Sequence, residues 1–147
     1  MLGVIVDTIE NNIHTDVMFR ELNKISKTEQ CFLFTNSTRS MPRKNKFTIL
    51  QQVEALCHKG TLIATSLLNA QIAKKSLTAT NKFIYMHDFD WMNFNAFYAS
   101  QLQEIILDEE INILSRSNTH YDIMKKLFKE PKGIVYNWRA DEILKVI

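Results

Sequence analysis

Apolar positions cluster into six short runs along the chain, each closed by small or polar residues and separated from the next by a helix-patterned or irregular stretch. The runs are Leu2–Asp7, Cys31–Asn36, Thr61–Thr65, Lys82–His87, Ile111–Ser115 and Gly133–Asn137. Runs this short that are apolar throughout, rather than alternating, suit strands covered on both faces, and strands joined through helices run parallel. Between them, Met18, Leu22 and Ile25 recur at helical spacing, with Thr15 and Asp16 as start residues. Ile49 or Leu50, Val53, Leu56 and Cys57 predict a second helix that Gly60 stops. Ser66 caps a third, with Leu68, Ile72 and Leu77 facing inward. Phe94, Phe97, Tyr98, Leu102 and Ile105 mark a fourth. Asn118 or Thr119 opens a fifth bearing Tyr121, Met124 and Phe128, and Ala140, Ile143, Leu144 and Ile147 mark the last.

The pattern predicts one three-layer α/β domain over residues 1–147, Rossmann-like, with about six mostly parallel strands and helices on both faces. The expected strand order is 3-2-1-4-5-6. A flavodoxin-like order is the competitor, and six strands rather than five favour the former. In such sheets ligands bind outside the carboxyl ends of the strands, so the chemistry is expected there.

Composition changes this picture little. A net charge of +2 gives no global argument for nucleic acid or for an acidic membrane. No apolar run approaches the roughly 20 residues of a membrane span, and the N-terminus lacks a signal peptide's basic leader. Cys31 and Cys57 are read as free buried thiols in a reducing, cytoplasmic setting. Frequent Lys, Asn and Ile with only three glycines is the composition of an AT-rich genome, such as many phages have.

Three groups on the expected carboxyl edge carry candidate chemistry. His87, Asp88 and Asp90 follow a buried strand, where an imidazole beside carboxylates can act as a general base; equally, the acids can cap the next helix. Thr65, Ser66, Ser115 and Ser117 can hold a sugar, phosphate or carboxylate, but read more readily as plain helix caps, which every α/β helix needs. Asp7 and Glu10 close the first strand, as a phosphoacceptor module would require, but no matching lysine pattern accompanies them. Arg39, Arg43, Lys44 and Lys46 form a small basic cluster that reads more readily as a solvated loop than as a nucleic-acid site. The first turn, Asp7 to Asn12, has no glycine, so the dinucleotide fingerprint is missing, as are a Walker loop and a G-x-S-x-G elbow. No bound cofactor is implied. His14, His58, His87 and His120 lie too far apart in sequence to suggest a metal site.

Three segments together resemble the N-terminal half of a GT-B glycosyltransferase of the group 1 type. They are Gly60–Ser66 with the helix bearing Ala70, then Lys82–Trp91 with its aromatic and acidic end, and Ile111–Ser117 followed by Gly133–Asn137. In that family an asparagine like Asn137 stands just before the linker to the second domain. The resemblance implies an acceptor-side domain without the donor-binding half, in which His87 is the possible base, Asp88 and Asp90 orient it or the acceptor hydroxyl, and Asp7, Thr65, Ser66, Ser115, Ser117 and Asn137 line the cleft. It implies sugar transfer only with a donor-domain protein, or after homodimerisation. The alternative is a non-catalytic interaction module, of the kind a phage encodes, anchored by Trp91, Phe94 and Trp138.

Overall fold

The structure is a computed structural model, and it describes residues 1–38, 44–86 and 96–147. Seven strands, all parallel, form one sheet in the order β3-β2-β1-β4-β5-β6-β7. The strands are β1 (Leu2–Ile9), β2 (Cys31–Thr38), β3 (Thr48–Gln51), β4 (Gly60–Ala64), β5 (Ala79–Met86), β6 (Ile111–Ser115) and β7 (Gly133–Ile134). The helices are α1 (Ile13–Ile25), α2 (Leu67–Lys75), α3 (Ala96–Ile106), α4 (Asn118–Leu127) and α5 (Ala140–Val146), with 3-10 turns at Gln52–Cys57 and Tyr136–Trp138. This is the expected Rossmann-like α/β architecture, one strand longer.

The extra strand is instructive. Thr48–Gln51, read from the sequence as the start of a helix, pairs with β2 through Phe32↔Thr48 to Thr35↔Gln51. It takes the third place in the sheet, so Gly60–Ala64 becomes the fourth strand and lies beside β1. The rest of that expected helix is only the 3-10 turn, and its stripe does not hold: Val53 is 67% exposed and Cys57 is exposed. Two more expectations on burial fail for a similar reason. Leu68 and Leu77 point outward because Asn69, Ala70 and Ala73, all fully buried, form the inner face of α2.

Alternation along the strands splits the core into two layers. On one face Leu2, Val4, Val6, Leu33, Ile63, Phe83, Tyr85 and Leu114 meet α1 and the C-terminal segment. On the other, Ile5, Phe34, Leu62, Ala64, Ile84 and Ile113 meet α2, α3 and α4. Burial at about 25 cal/mol per Å² of apolar surface makes these layers the main source of stability. The helices start on side-chain caps: Asn12 Oδ1 accepts the Thr15 N–H (2.9 Å), Ser66 the Asn69 N–H (3.2 Å) and Ser117 the His120 N–H (3.2 Å). Asn12 and Ser117 thus take the places that Thr15 or Asp16 and Asn118 or Thr119 were expected to fill. No helix among the described residues is long and apolar enough to cross a membrane.

Candidate functional site

The strands do not end level. The β1–β4 ladder stops at Ile5↔Ala64, whereas β1 and β2 stay paired to Ile9↔Thr38. The tips of these two strands therefore project beyond the carboxyl edge as a two-strand ridge. Beside it, where β1 parts from β4, lies a cleft of about 350 Å³. This is the topological switch point of the sheet, since the chain builds outward from β1 to β2 on one side and to β4 on the other.

One side of the cleft is polar: Asp7, Thr8 and Glu10 from the end of β1, Asn12, His14 and Thr15 from the start of α1, and Thr65 beyond β4. The other is apolar, from Met18, Tyr85 and Trp138. Asp7 and Glu10 stand near the amino end of α1, where the helix dipole favours negative charge. Asn12 both caps α1 and reaches the Glu10 carboxylate with its amide (3.5 Å).

Beneath the cleft a buried polar chain fixes the point where β1 and β4 separate. Thr65 Oγ1 donates to the Ile5 carbonyl (2.9 Å) and accepts from Asn69 Nδ2 (3.2 Å). Asn69 Oδ1 accepts from Gln52 Nε2 (2.6 Å), which also approaches the Val6 carbonyl (3.4 Å). Buried amides left unpaired would each cost about 1–3 kcal/mol, so this chain of bonds holds the floor in one arrangement.

The far wall is held as firmly. The Tyr85 hydroxyl donates to the Val135 carbonyl (2.7 Å), and its ring meets Trp138 edge-on with centroids 4.7 Å apart. Asn137 (φ 46°, ψ 47°) and Trp138 (φ 61°) both adopt left-handed backbone. Such conformations cost on the order of 1–2 kcal/mol per residue, and non-glycine examples concentrate at functional sites. Buried Glu21 anchors the segment from α1: one oxygen accepts the Ala140 N–H (3.2 Å), and Lys24 and Arg20 pair with the carboxylate. Burial pushes the Glu21 pKa up, but those bonds outweigh it and hold it below the usual carboxylate value.

Of the residues singled out in the sequence, Asp7 and Thr65 meet in this cleft. Ser66 and Ser117 cap α2 and α4. Ser115 ends β6, fully buried, and its hydroxyl finds no partner among the described residues. Asn137 is exposed at the left-handed turn beside Trp138. Trp138 is only 6% exposed, which rules out the rim anchor it was expected to be: it is built into the wall. His87, Asp88 and Asp90, with Trp91 and Phe94, lie outside the described residues. Thr8, Asn12, His14 and Thr15 were not assigned to a site from the sequence, where β1 is expected to end at Asp7, two residues short of its end at Ile9. Tyr85 and Trp138 were read as ordinary core or rim, and nothing local in the sequence brings residues 53 positions apart into one wall. No cluster of three or more His, Cys, Asp or Glu side chains among the described residues could hold a metal ion.

Fold and cleft together define a Rossmann-like α/β protein with a polar site at the carboxyl edge of its sheet. Compared with known proteins, the chain matches no family, no curated protein and no solved structure.

Proposed function

We propose that this chain is an acceptor-side, glycosyltransferase-like domain that holds a neutral, hydroxyl-rich sugar in the cleft at Asp7. The observation that carries the reading is the make-up of that cleft: two carboxylates, three threonines, an amide and an imidazole beside an apolar lining of Met18, Tyr85 and Trp138. Carboxylates and amides match sugar hydroxyls, and the apolar wall suits the C–H face of a ring. Among the described lining residues there is no lysine or arginine. Asp7 and Glu10 therefore disfavour a phosphate there, which fits an acceptor better than a nucleotide-sugar donor.

In this reading the donor is presented by a separate domain or by a second copy of the chain. Transfer needs both partners in near-attack geometry, which one open sheet edge cannot supply. His87 is then the base that takes the acceptor hydroxyl's proton as the anomeric carbon leaves its nucleotide, with Asp88 and Asp90 orienting it. The resemblance of Gly60–Ser66, Lys82–Trp91 and Ile111–Asn137 to the family's N-terminal half supports this assignment.

Saturation-transfer NMR with free monosaccharides and with uridine diphosphate tests the binding half of the proposal. Sugar signals are expected, the nucleotide is expected to give none, and Asp7→Asn should weaken the sugar signals. A nucleotide that binds more tightly than any sugar would overturn the reading. Sugar transfer reconstituted with a donor domain tests the chemistry: a His87→Ala chain with undiminished activity would remove the base. The second reading, a non-catalytic interaction module, is favoured by one observation, the 96% exposure of Leu77 beyond the end of α2, far from the cleft. Loss of a partner on Leu77→Ser, with sugar binding absent in the parent chain, would select it.

A further inference from the structure

The ridge has a second side. Across it, between β2 and β3, lies another depression of about 410 Å³, lined by Thr35, Asn36, Ser37, Gln51 and Glu54 among others. It arises in the same way as the first. The β2–β3 ladder ends at Thr35↔Gln51, while β2 continues to Thr38 beside β1. The projecting tips of β1 and β2 thus lie between the two depressions, and beside the strand ladder a side-chain hydrogen bond ties their linings together. Thr35 Oγ1, lining the second, donates to the carbonyl of Asp7 (3.2 Å), which lines the first. Thr35 also ties down the tip of its own strand by accepting from the Ser37 N–H (3.3 Å).

Neighbouring strands lie about 4.8 Å apart, so the two depressions, with both β1 and β2 between them, lie roughly 10 Å from each other, about two steps along a sugar chain. The second depression offers hydroxyls, amides and a single carboxylate, Glu54, which already accepts the Gln51 N–H (2.7 Å). Its chemistry is that of the first: hydrogen-bonding groups of both senses and no cation among the described lining residues.

We infer that the acceptor is an oligosaccharide of at least three units that lies across the ridge, one unit in the cleft at Asp7 and the next but one over the Thr35–Gln51 depression. The inference rests on the sugar-binding reading above and adds the length of the ligand and its direction over the β1–β2 tips. A free monosaccharide fills one depression only, so affinity rises with chain length.

An array carrying mono-, di- and trisaccharides of glucose, galactose, mannose and N-acetylglucosamine, probed with the labelled full chain, reads this directly. At least a tenfold gain is expected from a monosaccharide to its trisaccharide. Asn36→Trp, on an exposed position of the second depression, should erase the gain and leave monosaccharide binding intact. Gln51→Trp, exposed on the facing strand, is the independent variant should the first disturb the ridge. Asp7→Asn should weaken every length alike. Binding that does not grow with length, or a gain that survives both tryptophan variants, overturns the inference while leaving the sugar-binding reading in place. An array with no bound saccharide at all overturns both.

Discussion

The two edges of the sheet are built on opposite principles. At the amino edge, several charged side chains are paired with one another. Lys82, 8% exposed, donates to the Lys74 carbonyl (3.2 Å) and pairs with Glu110 (2.7 Å). Lys74 bridges Asp108 (2.8 Å) and Glu104 (3.3 Å), and Lys129 Nζ donates to the carbonyls of Asp108 and Ile111. Burial lowers the Lys129 pKa, whereas the carboxylate bonds raise that of Lys74. Backbone also packs tightly there: Gly60, at φ +113°, lets the Met1 carbonyl take the Thr61 N–H (3.0 Å). At the carboxyl edge the strand tips stand apart instead, and Asp7, Thr8 and Glu10 face open space between them. One edge holds the sheet together, and the other leaves hydrogen-bonding capacity over for a ligand. Substitutions at the two edges should therefore fail in different ways.

The largest effect is expected from Gly60→Ala. A Cβ there would sit 2.5 Å from the Met1 carbonyl oxygen, a backbone atom that cannot swing aside, at a φ that L-residues avoid. The cost should be about 3 kcal/mol. Gly3→Ala should come close, since its Cβ would lie 2.7 Å from the Phe34 ring and 2.8 Å from Leu62, although side chains there can yield. Chemical denaturation of the two variants measures both. If Gly60→Ala unfolds at the same denaturant concentration as the parent, the amino edge is not the rigid one.

Glu21→Gln comes next and probes the link between core and cleft. It removes the charge that Lys24 and Arg20 face and weakens the cap on α5. The expected loss is about 1–2 kcal/mol. Because the folded-state pKa of Glu21 lies below its unfolded value, its contribution is full above the unfolded value and fades as pH falls through the folded one. Stability of the parent chain should therefore drop more steeply below about pH 4.5 than that of the glutamine variant. Parallel unfolding profiles in acid would show that Glu21 does not hold the C-terminal segment. Lys82→Met is smaller still, about 1 kcal/mol, because it keeps the packed stem and loses the bonds to Glu110 and the Lys74 carbonyl.

How far the sequence announced all this depends on the kind of signal. Val4-Ile5-Val6, Leu62-Ile63-Ala64 and Phe83-Ile84-Tyr85 are continuous apolar runs, and only two-sided burial explains such runs, so the parallel sheet was legible. Thr48–Gln51 was not. Thr-Ile-Leu-Gln is too short to show a period of its own, and the following Val53 and Leu56 extended it into a false helix. The third strand of a Rossmann order was thus anticipated while the residues that fill it were misassigned. For the site, Asp7 and Thr65 were legible because strand ends are. Trp138 was not, since its place in the wall depends on a left-handed turn at Asn137 and on Glu21 reaching Ala140 across 119 positions. Nor could strand lengths be read closely enough to foresee the ridge, which exists only because β1 and β2 outrun their neighbours.

The smallest stability effect and the clearest functional one should coincide at Asp7. Its side chain is exposed, it joins no ion pair among the described residues, and its backbone bond to Thr35 uses the carbonyl. Asp7→Asn keeps the shape, removes one negative charge and turns one acceptor into a donor. Unfolding free energy should stay within about 0.5 kcal/mol of the parent, as for surface changes away from packed or capped positions. Sugar binding should nevertheless weaken about ten- to a hundredfold, since a lost charged hydrogen bond to a ligand is worth about 1.5–3 kcal/mol. Thermal unfolding and saturation-transfer titration on the same protein sample separate the two readouts. A variant that loses stability but not binding would invert the contrast, making the carboxyl edge another structural seam and leaving the cleft at Asp7 without a purpose.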